Sequence, residues 1–132
     1  MPIVLFFVIA LLVAVVTATS KYIESLAFRK MYRQHRFYAY ALIITLILVV
    51  GVLEWLLRIK VVTFTAPLWL YLIHVASAVL YFLSFIAKWW TASTERRVTH
   101  IALSKYYWFF WWLTAWTALA IGIVNAFIPL HP

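Results

Sequence analysis

Apolar residues in this chain fall into four long blocks, near 2–19, 37–57, 66–88 and 106–128, with the charged residues gathered between them. The last block shows the pattern best. From Tyr106 to Phe127 it carries no charge and no proline, and at about 1.5 Å per residue its roughly 22 residues reach about 33 Å, enough to cross a bilayer's hydrocarbon core. It opens on Tyr106-Tyr107-Trp108-Phe109-Phe110-Trp111-Trp112, an aromatic belt of the kind that anchors helices at the lipid–water boundary. The other three blocks have similar reach. The pattern predicts an all-α integral membrane protein, a four-transmembrane-helix up-and-down bundle forming one membrane domain over 1–132. Trp55, Trp69 and Tyr71 are expected at one boundary, and Trp89, Trp90, Tyr106 and Tyr107 at the other. Composition agrees: 68% of the residues are hydrophobic and 11% charged, far too apolar for a soluble domain of this length.

The net charge of +8 would suggest nucleic acid in a soluble protein, but its placement gives a different account. Nine of the eleven basic residues lie in the first and third connections, 20–36 and 88–105. The positive-inside rule assigns those basic loops to the cytoplasm and both termini to the non-cytoplasmic side. Arg29, Lys30, Arg33, Arg36, Arg96 and Arg97 are then expected to face lipid headgroups, anionic ones included, and nucleic acid is not expected as a partner. In the first connection Ile23, Leu26, Ala27, Phe28, Met31 and Tyr32 recur at helical intervals, which predicts a helical extension at the membrane surface; a partner-binding helix is the alternative. The first block lacks the basic n-region of a secretory signal, so it is expected to remain as a spanning helix. A prokaryotic cytoplasmic membrane is the expected location.

Two stripes of small residues at four-residue spacing, Ala10, Ala14 and Ala18 in block one and Ala118, Gly122 and Ala126 in block four, predict a close helix contact for at least one of them. Gly51 interrupts block two near its outer end. Glu54, four residues before Arg58, has the spacing of an ion pair on one helical face. Pro67 stands near the start of block three, where proline costs little, so blocks two and three form a tight hairpin.

The chain has no cysteine, which removes disulfides, iron–sulfur clusters and thiolate ligands. Of four histidines only His74 should lie within the hydrocarbon region. It either hydrogen-bonds a backbone carbonyl, Ser77 or a tyrosine of a neighbouring helix, or contacts a cofactor such as a quinone, a haem edge or a metal. His35 and His100 belong at the cytoplasmic surface, about 20 Å from His74 along the helices. A bis-histidine haem needs both imidazoles at one depth, so none contained wholly within this chain is expected. His35 and His100 are the candidate ligands for copper or zinc, with Glu24 or Glu95 nearby. Nothing matches the spacing of a nucleophilic triad, a glycine-rich phosphate loop or a paired-carboxylate site, and no catalytic residue is assigned.

The order of features resembles a known family. His35-Arg36 opens block two, with Ala41 six positions after the histidine; Leu72-Ile73-His74-Val75-Ala76 follows in block three; then come a basic loop ending in His100 and an aromatic helix from Trp108 to Gly122. This resembles the CtaM/YozB-like family of small four-helix membrane proteins encoded beside haem–copper oxidase genes and implicated in the assembly or function of those oxidases. The resemblance covers most of residues 20–125. One departure stands out: the family pattern carries a further histidine at the outer end of the second core helix, where this chain reads Gly51-Val52-Leu53-Glu54-Trp55-Leu56-Leu57. The resemblance implies a non-catalytic accessory subunit or assembly partner of a larger membrane oxidoreductase, with other subunits of a redox complex as partners. Two alternatives stay open: a small electron-transfer protein using His74 with haem, quinone or copper, and an accessory subunit of another membrane enzyme such as a copper monooxygenase or a photosynthetic complex.

Overall fold

The computed structural model describes residues 2–59 and 66–128, without the side chains of Pro2, Glu54, Leu57 and Arg58. Every regular element in them is helical: α1 (Pro2–Phe28), α2 (Tyr32–Arg58), α3 (Leu68–Ser93), α4 (Arg97–Ala102) and α5 (Ser104–Phe127). Four spans, Ile3–Phe28, Tyr32–Leu53, Leu68–Ser93 and Arg97–Phe127, are long and apolar enough to cross a membrane. Lipid makes these apolar segments helical, because a backbone without water must satisfy its hydrogen bonds internally.

The helices overrun the apolar blocks. α1 continues past Thr19 to Phe28, α2 begins at Tyr32, and the first basic connection is therefore helix on both sides of a short corner at 29–31. The second basic connection likewise holds the end of α3, the corner at 94–96, and α4. Gly51 does not interrupt α2, which runs through it to Arg58. The expected Glu54–Arg58 pair and the hairpin connection at 60–65 lie outside the described residues.

The chain divides into two compact units, one holding α1 and α2, the other α3 to α5. In the first, Val16, Ser20, Ile23 and Leu26 are buried on one face of α1, and Leu42, Ile43 and Leu46 on α2. At its corner, the Met31 N–H bonds the Leu26 carbonyl at 2.9 Å around a Lys30 N–H to Ala27 carbonyl bond of 3.0 Å. This nested pair closes a helix on a left-handed residue. That residue is normally glycine; here it is Lys30, at φ 59°.

In the second unit α3 and α5 pack antiparallel along their length: His74 meets Thr117, Tyr81 meets Tyr107, and Lys88 meets Ser104. Pro67 caps α3, its carbonyl accepting from the Leu70 N–H at 3.1 Å, the position where proline's missing N–H costs nothing. The α3–α4 corner is closed by Arg96 N–H to Thr91 carbonyl (2.8 Å) around Glu95 N–H to Ala92 carbonyl (3.3 Å). Glu95 is left-handed, at φ 60°.

Candidate functional site

The polar groups of the second unit are not scattered. On α3 they fall at His74, Ser77, Tyr81, Ser84, Lys88 and Thr91, alternating steps of three and four that keep one stripe facing a single partner helix. Ser77, Tyr81, Ser84 and Thr91 are buried, and so are Tyr107, Trp111, Ala115, Thr117, Ile121 and Gly122 of α5. The stripe is a polar seam inside an otherwise apolar helix pair.

His74 lies at one end of the seam. Its Nδ1 is 3.2 Å from the Thr114 carbonyl and 2.9 Å from Thr117 Oγ1. A carbonyl can only accept, so Nδ1 carries the proton. The Thr117 hydroxyl donates to the Leu113 carbonyl at 2.8 Å, which leaves its oxygen to accept from the imidazole. The tautomer is thereby fixed and Nε2 bears the lone pair. An N–H held by a backbone carbonyl is the usual way a ligating imidazole is oriented. Ser77 turns its hydroxyl back onto the His74 carbonyl at 2.9 Å, so the expected Ser77 partnership reaches the main chain and not the ring.

Two turns along, the hydroxyls of Tyr81 and Tyr107 are 2.8 Å apart. Their rings are 5.0 Å apart, and Tyr81 is 5.5 Å from Trp111. Lys88 comes next, with Nζ donating to Ser104 Oγ at 2.9 Å and lying 5.1 Å from the centre of the Tyr107 ring. A cation over a phenol face is attracted by the ring quadrupole, more strongly where water is scarce. At the far end Nδ1–H of His100 donates to the Lys88 carbonyl at 2.7 Å, with Thr91 Oγ1 at 3.3 Å.

His35 stands in the first turn of α2, and its Nδ1–H donates to the Ile23 carbonyl of α1 at 2.7 Å. In both His35 and His100 the proton is thus on Nδ1 and the lone pair on Nε2. The two belong to different units, and no cluster of three metal-binding side chains occurs among the described residues. Arg29, Lys30, Arg33, Arg36, Arg96 and Arg97 are exposed, and Arg33 and Arg36 line a shallow hollow with Tyr32, Phe37 and Tyr40. Of the small-residue stripes, Gly122 is buried and Ala118 and Ala126 half-buried, while Ala14 and Ala18 are exposed and Ala10 half-buried.

The seam escaped sequence reasoning, although its signal is present. Serine and threonine in a lipid-bathed helix read as tolerated filler, and Lys88 reads as part of a basic loop. The three-four spacing from His74 to Thr91 is what joins them into one face.

In comparison with known proteins, no family model matches the chain, no curated protein is similar to it, and no solved structure matches it. The class stands on the helices themselves: an all-helical chain with four segments able to span a membrane.

Proposed function

We propose that this chain is a non-catalytic subunit or assembly partner of a larger membrane oxidoreductase, with a haem–copper oxidase the host that the family resemblance favours. The supporting observation is the outward face of α5. Phe109, Trp112 and Trp116 are exposed, and Trp112 stacks on Trp116 at 6.5 Å, giving a broad aromatic strip. Large flat rings bury much area at little entropic cost and are enriched where protein meets protein. Host subunits cover that strip in this reading, and the basic corners lie at the cytoplasmic face against lipid phosphate. The test is purification from native membranes in mild detergent, with a Trp112→Ala, Trp116→Ala variant beside the parent. Redox subunits that co-purify with the parent and are lost from the variant support the proposal. A parent chain that runs alone refutes it.

A second reading is favoured by one specific contact, the fixing of His74 through Nδ1 to Thr114 and Thr117. The imidazole is oriented as a ligand would be, with the Nε2 lone pair directed to a haem iron, a copper ion or the donating hydroxyl of a quinol. An absorption spectrum of the purified chain decides for haem: a Soret band abolished by His74→Ala supports it, and a bare protein spectrum excludes it.

A further inference from the structure

The two corners share four backbone hydrogen bonds at equivalent positions. In the first, Arg29 N–H bonds Ser25, Lys30 bonds Ala27, Met31 bonds Leu26, and His35 bonds Met31; in the second, Thr94 bonds Trp90, Glu95 bonds Ala92, Arg96 bonds Thr91, and His100 bonds Arg96. Each of these donors and acceptors has its counterpart sixty-five positions later (30 to 95, 35 to 100, 26 to 91); the second corner also has an Arg97 N–H to Glu95 carbonyl bond of 2.9 Å, and the helix after it is divided at Leu103 where α2 is continuous. The left-handed residues correspond, Lys30 with Glu95. So do the histidine side-chain bonds, each reaching a carbonyl 12 residues earlier at 2.7 Å. Pro2 and Pro67 open the two halves at the same offset. Burial repeats at four pairs, Val16 with Tyr81, Leu26 with Thr91, Leu42 with Tyr107 and Leu46 with Trp111, and differs at others, Ser77 and Thr117 being buried where Leu12 and Val52 are not.

We infer that residues 2–59 and 67–124 are two copies of one helix–corner–helix unit, and that His35 and His100 are equivalent residues, each tying its corner through Nδ1–H to the preceding helix. Any helical hairpin closed on a left-handed residue shows the nested backbone bonds. Nothing in that geometry requires a non-glycine residue at the turn, a histidine at the same place after it, or the same carbonyl as its partner.

The repeat supplies an internal control for the seam. The first-copy counterparts of His74, Ser77, Tyr81, Ser84, Lys88 and Thr91 are Ile9, Leu12, Val16, Thr19, Ile23 and Leu26. Tyr107 corresponds to Leu42, and Thr117 to Val52. At every seam position but Thr19 the first copy carries an apolar side chain, and the histidine, tyrosines and lysine of the seam belong to the second copy alone. Polar side chains within a bilayer cost free energy and mark working positions; here the fold does not call for them.

The test uses the full chain in detergent. Imidazole 15N spectra are expected to show Nδ1–H tautomers for both His35 and His100, each slow to exchange. An Nε2–H tautomer at either one overturns the equivalence. Substitutions then compare the copies: His35→Leu and His100→Leu should lower the unfolding temperature by similar amounts, and His35→Asn and His100→Asn, which keep an N–H at the bonding position, should restore most of it. A loss confined to one corner overturns the inference. His74→Ile with Thr117→Val, which gives the seam its first-copy chemistry, should leave the chain folded and both corner tautomers unchanged; a chain that no longer folds would show the seam to be structural and sink that part of the inference.

Discussion

The hydroxyls of Tyr81 on α3 and Tyr107 on α5 meet at 2.8 Å, with Trp111 against the Tyr81 ring at 5.5 Å. In lipid there is no hydrophobic drive to bring two helices together, so packing and hydrogen bonds must align them. A phenol pair does both. Tyr81→Phe should destabilise the protein by about 1 kcal/mol in mixed-micelle denaturation. The double variant with Tyr107→Phe should cost less than the two singles added, by a coupling of about 0.6 kcal/mol. Strict additivity would mean that the two hydroxyls do not act as a pair.

The corners give a second expectation. Lys30 and Glu95 hold φ of 59° and 60°, which for a side chain bearing Cβ costs about 1 kcal/mol. Lys30→Gly and Glu95→Gly should each raise stability by a few tenths to about 1 kcal/mol, the gain trimmed by glycine's freedom in the unfolded chain. Lys30→Val and Glu95→Val should cost more than the glycine variants gain, since a branched Cβ is least tolerated there. Thermal unfolding of the four variants is the measurement.

The two glycines should behave oppositely. A Cβ added at Gly51 meets nothing within 4 Å, so Gly51→Ala removes a helix-weakening residue and should stabilise α2 by up to about 1 kcal/mol. Gly122 is buried, and Gly122→Leu should destabilise by about 1–3 kcal/mol through overpacking. Equal tolerance at both positions would contradict the burial of Gly122.

Charge placement predicts topology. The chain has no cysteine, so a single cysteine at Lys30 or Glu95 can be labelled without background. Both are exposed. A membrane-impermeant maleimide should modify both from the cytoplasmic side and neither from the outside of intact cells. Labelling of the two from opposite sides would mean that one of the four helices does not cross.

The four spans were legible because lipid solvation demands long apolar runs, and charge interrupts them visibly. The corners were not. A helix end is read from glycine or proline, and this chain turns on Lys30 and Glu95 with neither; in the first connection the helical spacing from Ile23 to Tyr32 was legible, but not the break at 29–31. For His74 the sequence left a backbone carbonyl among several partners, and the Thr114 carbonyl takes that role together with Thr117 Oγ1. The repeat was hidden for a different reason: its halves share geometry, and aligned positions such as Val16 and Tyr81 share burial without sharing chemistry.

The supporting role proposed for this chain is tested most directly by its company in the native membrane. Extracted gently and resolved by size, it should travel with redox subunits in a fixed ratio, and those subunits should account for the visible absorption of the peak. A chain that elutes at its own micelle size, carrying a chromophore bound through His74 and no other protein, would contradict the account.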